Sequence, residues 1–411
     1  MDRGSRESRA LVPISGQLQP VPQKSYWSRV GDAYKLFTRA FLIALPLFVV
    51  LFIAICPRAF TYDSIFCFFK DLRATASFIP SDYADVHYTY EEGERTVISY
   101  RGGVAAVTKG GIEVYSPDGE RLLELSEELK APRAVASRKY LLAYDFGSPE
   151  FTVTNAYARL HRGNAGQPVY AAAVADTGQL ALVTGSTTYL SQVLVYDSNF
   201  NLIQGFGRAS ATTGVALSNN GKYVAILGLS SVQGDRQTLL ELYRIGSKEP
   251  VFRTVWEGEL PLTLSFTDHR HIAVLTDQAL RVVELDGEWK EEMQLNGATP
   301  IHYEFSENGC VLIARTSAME AAYHVSVLDK KGELVYELAS VGEDIHAVSL
   351  GREQLFLLMD EQQLRISLAE GNTQRLPCER GALDIFAIDD DRLRVVYAGK
   401  ATHTYFGQER E

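Results

Sequence analysis

The stretch VYAAAVADTGQLALVTG at positions 169–185 decides how the chain is interpreted. It contains a run of small and apolar residues, the turn-forming residues Asp176, Thr177 and Gly178, and then a second, more apolar run. Gly, Asp and Asn between two runs of β-prone residues are typical of a tight turn between antiparallel strands. The stretch therefore predicts a strand, a turn and a second strand.

The same unit recurs along the chain. Its turn glycines Gly178, Gly221 and Gly309 are 43 and 88 residues apart, and 88 is two steps of 44. A second series of turn glycines, Gly287, Gly332 and Gly371, is spaced by 45 and 39 residues, so the period is near 42 residues. Further copies are GVALSNNGKYVAILG (214–228), LTLSFTDHRHIAVLT (262–276), YEFSENGCVLIAR (303–315), AVSLGREQLFLLM (347–359) and DIFAIDDDRLRVVYA (384–398). The chain is therefore built from repeats.

Four short antiparallel strands in each period of about 40–45 residues are typical of a β-propeller blade. We predict an all-β propeller of eight four-stranded blades; seven is the alternative, because the first unit is the least regular. The predicted second strands lie at 104–107, 140–144, 180–184, 223–227, 272–275, 311–314, 355–359 and 393–397. The last unit ends after three strands, so DVHYTY (85–90) is expected to supply its fourth strand and close the ring.

The repeats resemble those of the WD40, YncE-like and quinoprotein-like propellers. The run QVLVYDSNFNLIQGFGRASATTGVALSNNGKYVAIL (192–227) also resembles an uncharacterised family of bacterial single-pass membrane propellers. These motifs mark a fold and carry no chemistry. No WD dipeptide occurs, and Trp256 and Trp289 are the only tryptophans after residue 83. The tryptophan-docking repeat of quinoprotein dehydrogenases is therefore absent, and a quinone cofactor is disfavoured.

An apolar run, AFLIALPLFVVLFIAICP (40–57), lies between Arg39 and Arg58 and contains no charged residue. As a helix it would be about 27 Å long, close to the hydrocarbon thickness of a bilayer. The 39 residues before it exceed the short amino-terminal region of a cleaved secretory signal, so we expect it to be retained as an anchor. The predicted divisions are a disordered cytoplasmic tail (1–35), a transmembrane helix (36–57), an amphipathic linker beside the membrane (58–82) and the propeller (83–411).

The distribution of Lys and Arg gives the expected orientation. Seven of these residues precede the apolar run, whereas Arg58, Lys70 and Arg73 follow it within the linker. The excess of positive charge is expected on the cytoplasmic side. The propeller is therefore expected outside the cell membrane.

Net charge and cysteine spacing exclude some kinds of partner and site. The chain carries −11, distributed as +5 over residues 1–58 and −16 over the remainder. An acidic propeller disfavours nucleic acid, which binds through Lys and Arg. The four cysteines, Cys56, Cys67, Cys310 and Cys378, show no metal-type spacing, and no structural disulfide is expected.

No catalytic motif is found in the sequence. It contains no G-x-S-x-G elbow, Walker phosphate loop, H-E-x-x-H or dinucleotide fingerprint. Asp268, His269 and His271 could be written as metal ligands, but they occupy the turn that Asn219 occupies in the preceding unit, and turn formation explains them. The aspartates at 389–391 fall at the same turn. We therefore expect no metal, no cofactor and no catalytic residue.

Propellers bind ligands mainly on the face that carries the second-to-third-strand loops and the fourth-to-first-strand connectors. The predicted loops at 145–150, 184–192 and 228–237 are long in three consecutive units, and the connectors at 161–168 and 205–212 add arginines. A further long loop is predicted at 315–322. This pattern indicates a recognition surface, although unselected variation in loop length is the competing interpretation. The candidate ligand-binding residues are Asp145, Arg162, Tyr189, Arg208, Asp235, Arg236 and Arg315.

Three functions fit these features. The first is a membrane-anchored extracytoplasmic propeller that binds or scaffolds a protein or an envelope glycan without catalysis. The second is an enzyme acting on an envelope glycan, which would need two carboxylates about 5–10 Å apart across the channel. The third is a sensor that signals through a partner of the cytoplasmic tail. The first needs no catalytic residue and is the one we expect.

Overall fold

The computed structural model describes residues 34–47, 83–89, 93–316, 322–341 and 343–407. The chain forms two compact units, Met1–Ala74 and Thr75–Glu411. In the first unit, residues 34–47 form a helix. None of the described helical residues makes a helix long and apolar enough to cross a bilayer. The predicted tail before residue 34, the rest of the predicted membrane segment and the predicted linker lie outside the described residues.

The second unit is a propeller, and its described residues form eight four-stranded antiparallel sheets. The first strand in the chain, β1 (Val86–His87), belongs to the last blade. The next strands fill blades 1 to 4 in order: β2 (Thr96–Tyr100), β3 (Gly103–Thr108), β4 (Gly111–Tyr115) and β5 (Arg121–Ser126); β6 (Pro132–Ala136), β7 (Leu141–Asp145), β8 (Glu150–Thr154) and β9 (Arg159–Asn164); β10 (Val169–Val174), β11 (Leu180–Thr184), β12 (Ser191–Tyr196) and β13 (Leu202–Arg208); β14 (Ala211–Leu217), β15 (Tyr223–Val232), β16 (Asp235–Arg244) and β17 (Pro250–Glu257).

Blades 5 to 8 follow the same plan, and they confirm the prediction of eight blades over seven. Their strands are β18 (Pro261–Phe266), β19 (His271–Thr276), β20 (Ala279–Glu284) and β21 (Trp289–Gln294); β22 (Thr299–Ser306), β23 (Gly309–Arg315), β24 (Tyr323–Leu328) and β25 (Leu334–Val341); β26 (Ala347–Leu350), β27 (Gln354–Leu358), β28 (Gln362–Ser367) and β29 (Thr373–Pro377); and β30 (Asp384–Ala387), β31 (Arg392–Val396) and β32 (Lys400–Tyr405). All eight predicted second strands coincide with observed second strands.

The core lies between neighbouring blades. Val183 and Val193 of blade 3, for example, pack with Val224 and Ile226 of blade 4 in one buried cluster. Second strands such as β3, β11 and β19 are buried along their whole length, because both faces of each blade are covered by a neighbour. This double burial explains why the second strand of each unit has the most continuous apolar sequence.

The ring is closed by the first strand of the domain, as predicted from DVHYTY. β1 pairs with β32, with Val86 opposite Ala401 and His87 opposite Lys400. The Tyr88 amide continues the contact by donating to the Gly399 carbonyl oxygen at 3.2 Å. An N-terminal strand therefore completes the C-terminal blade, and no blade is left with three strands.

One predicted loop, GLSSVQGDRQ at 228–237, is wrong, because most of it belongs to strands β15 and β16. Val232 pairs with Asp235, and the residues between them, Gln233 and Gly234, form a two-residue turn. Both have left-handed backbones, with φ of 57° and 97°, as a type I′ hairpin turn requires. This turn matches the twist of the strands, so pairing continues to the tip. The predicted connectors 161–168 and 205–212 likewise begin inside β9 and β13.

Candidate functional site

Strand direction alternates within each blade, so second-to-third-strand loops and fourth-to-first-strand connectors emerge on the same face, here called the upper face. In blades 2 to 4 this face carries the loop 146–149, the loop 185–190 and the tip of the β15–β16 hairpin. Six of the seven predicted site residues lie at strand ends or in loops on this side, and Arg162 lies within β9, two residues before its upper end. Six of the seven belong to the consecutive blades 2, 3 and 4, whereas Arg315 ends the second strand of blade 6.

Two exposed aromatic side chains meet on the upper face between blades 2 and 3. Phe146 and Tyr170 are 46 % and 45 % exposed, and their rings pack edge to face with centroids 5.6 Å apart. The Arg133 guanidinium lies 6.0 Å from the Phe146 ring centroid and pairs with Glu94 at 3.1 Å. An edge-to-face pair this exposed offers a large apolar contact area to a ligand.

Backbone contacts between the two blades hold this pair in place. The Gly147 amide donates to the Val169 carbonyl oxygen, and the Val169 amide donates to the Ser148 carbonyl oxygen, both at 2.9 Å. The loop of blade 2 is therefore fastened to the start of β10, which carries Tyr170. The two rings are presented by a fixed backbone, which lowers the entropic cost of binding.

The apolar surface continues onto the loop 185–190. Tyr189 and Leu190 are 53 % and 65 % exposed, and a Cβ placed on Gly185 would lie 3.7 Å from the Tyr170 ring. The Tyr189 ring covers Gly207, where a Cβ would come within 2.3 Å of it. We call Phe146, Tyr170, Tyr189 and Leu190 the aromatic patch.

Asp145, the first predicted site residue, is buried and serves the scaffold. Its Oδ1 accepts hydrogen bonds from the amides of Lys130 at 3.0 Å and Ala131 at 2.7 Å, which lie in the connector from blade 1. Asp277 does the same in blade 5, accepting the Leu260 amide at 2.7 Å. An aspartate at this place after a second strand therefore caps the incoming connector.

The predicted arginines of blades 2 and 3 are both paired with carboxylates. Arg162 is exposed and contacts Glu150 at 3.0 Å. The Arg208 side chain is 11 % exposed and pairs with Glu241 of blade 4, which also contacts Arg253 at 3.1 Å. Arg208 also donates to the Tyr243 hydroxyl at 3.1 Å. Arg208 therefore joins two blades, whereas Arg162 stays at the surface.

The hairpin residues Asp235 and Arg236 line an open hollow together with Gly234, Glu257 and Gly258. The Arg236 Nε donates to the Gly258 carbonyl oxygen at 2.7 Å. Both hairpin residues are exposed at the tip. Asp235 and Arg236 therefore add the hairpin of blade 4 to the candidate surface, beside the aromatic patch of blades 2 and 3.

Arg315 lies apart from the other six residues. Its guanidinium donates to the Tyr323 hydroxyl at 2.7 Å, and that hydroxyl donates to Asp344 at 2.5 Å. This network joins the end of β23, the start of β24 and the connector between blades 6 and 7. Of the loop predicted at 315–322, residues 317–321 lie outside the described residues.

The inner strands carry two carboxyl groups with altered acidity. Burial raises the pKa of Glu304, on β22, to about 7, and the nearby charge of Asp384 contributes to this rise. Burial also raises the pKa of Asp384, on β30, to about 6. Glu304 Oε2 accepts the Leu350 amide of blade 7 at 3.0 Å. No feature of the sequence distinguishes Glu304 and Asp384, since each occupies an ordinary first-strand position.

The predicted turn role of Asp268 is confirmed. Its Oδ1 accepts the amides of Arg270 at 2.6 Å and His271 at 2.8 Å, and its carboxylate also contacts His271 Nδ1 at 2.9 Å. The described residues contain no group of three His, Cys, Asp or Glu side chains that could hold a metal ion. Cys310 and Cys378, the described cysteines, are both free thiols.

Sequence reasoning missed Phe146 and Tyr170. Phe146 follows the capping aspartate in DFGSPE, and Tyr170 is the one large side chain in VYAAAV. An aromatic residue among small ones on an inner strand could have marked this position. The contact of Tyr170 with Phe146 could not be predicted from the repeat alone, because the two residues belong to different repeat units.

Comparison with known proteins agrees with this architecture. A family model described as a family of unknown function (DUF5711) matches residues 81–402. The chain belongs to this family. The match covers all the described propeller strands except the end of β32. No curated protein sequence matches the chain.

Similar solved structures show the fold alone, because their sequence identities are low. The C-terminal WD40 domain of Sif2 has a TM-score of 0.53 at 13 % identity and covers 79 % of this chain and 99 % of that chain. *Chaetomium thermophilum* Sqt1, bound to the N-terminus of the ribosomal protein L10, has the same TM-score and identity, with 79 % and 100 % covered. The quinohemoprotein alcohol dehydrogenase ADHIIG from *Pseudomonas putida* HK5 has a TM-score of 0.53 at 8 % identity, with 80 % and 77 % covered.

Proposed function

We propose that this protein is a non-catalytic binding or scaffold propeller, anchored in a membrane with the propeller on the extracytoplasmic side, and that the aromatic patch contacts a protein or envelope ligand. The observation that carries this proposal is the exposed Phe146–Tyr170 pair, 5.6 Å between ring centroids. Exposed aromatic side chains held by a rigid backbone and bordered by arginines are typical of interaction surfaces.

The anchor is supported by the surface of the helix at 34–47. Leu36, Phe37 and Ile43 are 71 %, 70 % and 71 % exposed, and Phe41, Leu42, Leu45 and Leu47 are also exposed. From Ala40 to Leu47 the helix carries no charged side chain, and a helix that is apolar on all sides is stable in a bilayer or against another apolar surface. The apolar sequence continues to Pro57, which gives the length that a membrane span needs.

The experiment that tests the proposal uses the full-length protein in its own membranes. Mild chemical crosslinking, solubilisation and mass spectrometry should recover a partner protein or a bound glycan together with the propeller. A membrane-impermeant protease added to cells with an accessible outer membrane face should digest the propeller. Recovery of the propeller alone, or its complete protection from the protease, would contradict the proposal.

A second candidate function is glycan cleavage by the Glu304 and Asp384 pair. Glycan-cleaving enzymes use two carboxyl groups for acid and base catalysis, and a raised pKa keeps the acid protonated near neutral pH. The observation in its favour is the raised pKa of both groups on inner strands. Release of reducing ends from purified envelope glycan, lost in both Glu304→Gln and Asp384→Asn, would support it over the binding function.

A further inference from the structure

The β15–β16 hairpin of blade 4 extends further than the corresponding hairpins of other blades. Each strand has 10 residues, against 5 in β7 and in β11. Pairing runs without interruption from Tyr223 opposite Arg244 to Val232 opposite Asp235. The tip therefore projects as a regular two-stranded ladder on the upper face.

The inner edge of this tip is not covered by the neighbouring strand. The pairing of β14 with β15 ends at Ala211 opposite Leu229. Beyond that point, Ser230, Ser231 and Val232 pair with β16 alone. In the described part of blade 4, one edge of this three-residue segment therefore keeps backbone groups that the sheet does not use.

The outer edge of the same hairpin is covered. Gln237 pairs with Glu257 of β17, and the Gly258 amide then donates to the Arg236 carbonyl oxygen at 2.8 Å. The last strand of the blade thus continues its contact almost to the turn. The hairpin is therefore covered on one edge only.

The segment carries none of the lysines, prolines or bulges that protect many exposed strand edges. The sequence here is Ser230, Ser231 and Val232, and the β15–β16 register has no shift. An unprotected edge of this kind invites another strand.

The loop 185–190 of blade 3 and strand β15 of blade 4 both lead to the same connector residue, Ser210. Ser191, at the end of that loop, donates from Oγ to the Ser210 carbonyl oxygen at 2.9 Å. From the other side, a Cβ on Gly228 would lie 3.2 Å from Ser210 Oγ. Ser210 is buried, at 8 % exposed, while Leu190 on the blade 3 side and Val232 on the blade 4 side are 65 % and 51 % exposed.

We infer that the edge Ser230–Val232 binds an extended polypeptide segment as an added strand, with Leu190 and Val232 contacting its apolar side chains. The inference rests on the proposed function and names the chemical class of the partner. Alternating amide and carbonyl groups at strand spacing are complementary to another polypeptide backbone. A sugar chain does not present donors and acceptors in that alternation.

The test begins with site-specific photocrosslinking in the full-length protein in its own membranes. p-Benzoylphenylalanine replaces Ser231 in one variant and Tyr189 in another. We expect the probe at 231 to crosslink to one short segment of one partner protein, identified by mass spectrometry. Crosslinks from 231 to glycan or lipid alone would overturn the inference.

Binding measurements with a synthetic peptide of the crosslinked segment then distinguish backbone hydrogen bonding from apolar side-chain contact. Two versions carry N-methyl groups on alternate amides, in opposite registers. Because one set of amides faces the edge, we expect one version to bind about 10-fold or more weakly and the other to change less than about 2-fold. Equal affinities for both versions would overturn the inference.

A shortened hairpin provides the matched variant in the protein. Replacing Ser231–Arg236 by Asn-Gly keeps a type I′ turn and removes the edge, and it should weaken peptide binding about 10-fold or more without lowering the unfolding temperature. Crosslinks from 189 with none from 231 would overturn this inference and leave the proposed function standing. The absence of crosslinks from both positions would contradict both.

Discussion

Arg394 donates a hydrogen bond from Nη1 to the carbonyl oxygen of Ala84 at 3.2 Å, although the two residues are 310 positions apart. Its Nη2 donates to the Pro117 carbonyl oxygen of blade 1, also at 3.2 Å. The side chain is almost completely buried, and this desolvation lowers the pKa of its guanidinium. Arg394 therefore ties the last blade, the segment before β1 and the first blade together at the point where the ring closes.

Replacing Arg394 should weaken ring closure. Arg394→Met removes the Arg394 donor from the Ala84 carbonyl oxygen and leaves the Pro117 carbonyl oxygen with the Ala84 amide, at 3.2 Å, as its donor. We expect the free energy of unfolding to fall by about 1–3 kcal/mol. Chemical denaturation followed by circular dichroism measures the change. Arg380→Met is the control, because Arg380 is 87 % exposed with a surface partner, Glu361, and should change stability by less than about 0.5 kcal/mol. Equal effects of the two substitutions would contradict the closing role.

The salt bridge between Arg208 and Glu241 should matter for stability. Glu241 is 3 % exposed, so Arg208→Met leaves a buried carboxylate with Arg253 alone and should cost about 3 kcal/mol. Adding Glu241→Gln removes the unpaired charge and should recover part of the loss. Thermal and chemical unfolding of both variants measure this. No recovery in the double variant would show that the loss has another origin.

A turn glycine should tolerate no side chain where the backbone of the next strand is close. Gly309 has φ of 142°, and a Cβ there would lie 2.2 Å from the Leu328 carbonyl oxygen. Gly246 also has a positive φ, 90°, but open space around it. Both alanine variants carry backbone strain of about 1–2 kcal/mol, and we expect Gly309→Ala to lose clearly more stability than Gly246→Ala. Similar unfolding temperatures for the two variants would contradict the steric explanation.

Stability should depend on pH through Glu304. Its pKa is about 7 in the folded chain against an ordinary value of 4.5, so the folded state binds this proton more tightly than the unfolded state. Protonated Glu304 therefore stabilises the folded state. This contribution is complete below about pH 4.5 and is lost as the pH rises through 7. Glu304→Gln should therefore raise the unfolding temperature relative to the wild type at pH 8 more than at pH 5.

The control for this pH dependence is Glu249→Gln, since Glu249 is an exposed residue in a turn of blade 4. It should shift the unfolding temperature equally at pH 5 and pH 8. If Glu304→Gln behaves like the control, burial does not raise the pKa of Glu304.

The repeats predicted much of the fold because blade packing is a local property of each unit. All eight second strands and the closing strand could be placed, since double burial imposes continuous apolar sequences and tight turns impose glycine. The hairpin tip at Gln233 and Gly234 was predicted as a loop, because a polar sequence around a type I′ turn is compatible with either loop or strand. The burial of Arg394 depends on contacts that form only when the ring closes, and no local sequence pattern predicts it.

The candidate site was predicted less well than the fold. Charged residues near strand ends were chosen, but Asp145 caps a connector and Arg208 joins two blades. Tyr189, Asp235 and Arg236 do lie exposed on the upper face. Phe146 and Tyr170 could be recognised only when their separate units were placed side by side.

The most direct test of the central claim is the partner yield of a patch variant. Phe146→Ala/Tyr170→Ala removes the exposed ring pair, and Leu334→Ala/Val335→Ala removes two side chains that are 48 % and 50 % exposed on the outer strand of blade 6. Both are compared with wild-type full-length protein, crosslinked in its own membranes, by quantitative mass spectrometry. We predict that the patch variant loses about 90 % of the recovered partner at unchanged unfolding temperature, while the outer-strand variant keeps it. Equal recovery from all three proteins would contradict the assignment of the aromatic patch as the binding surface.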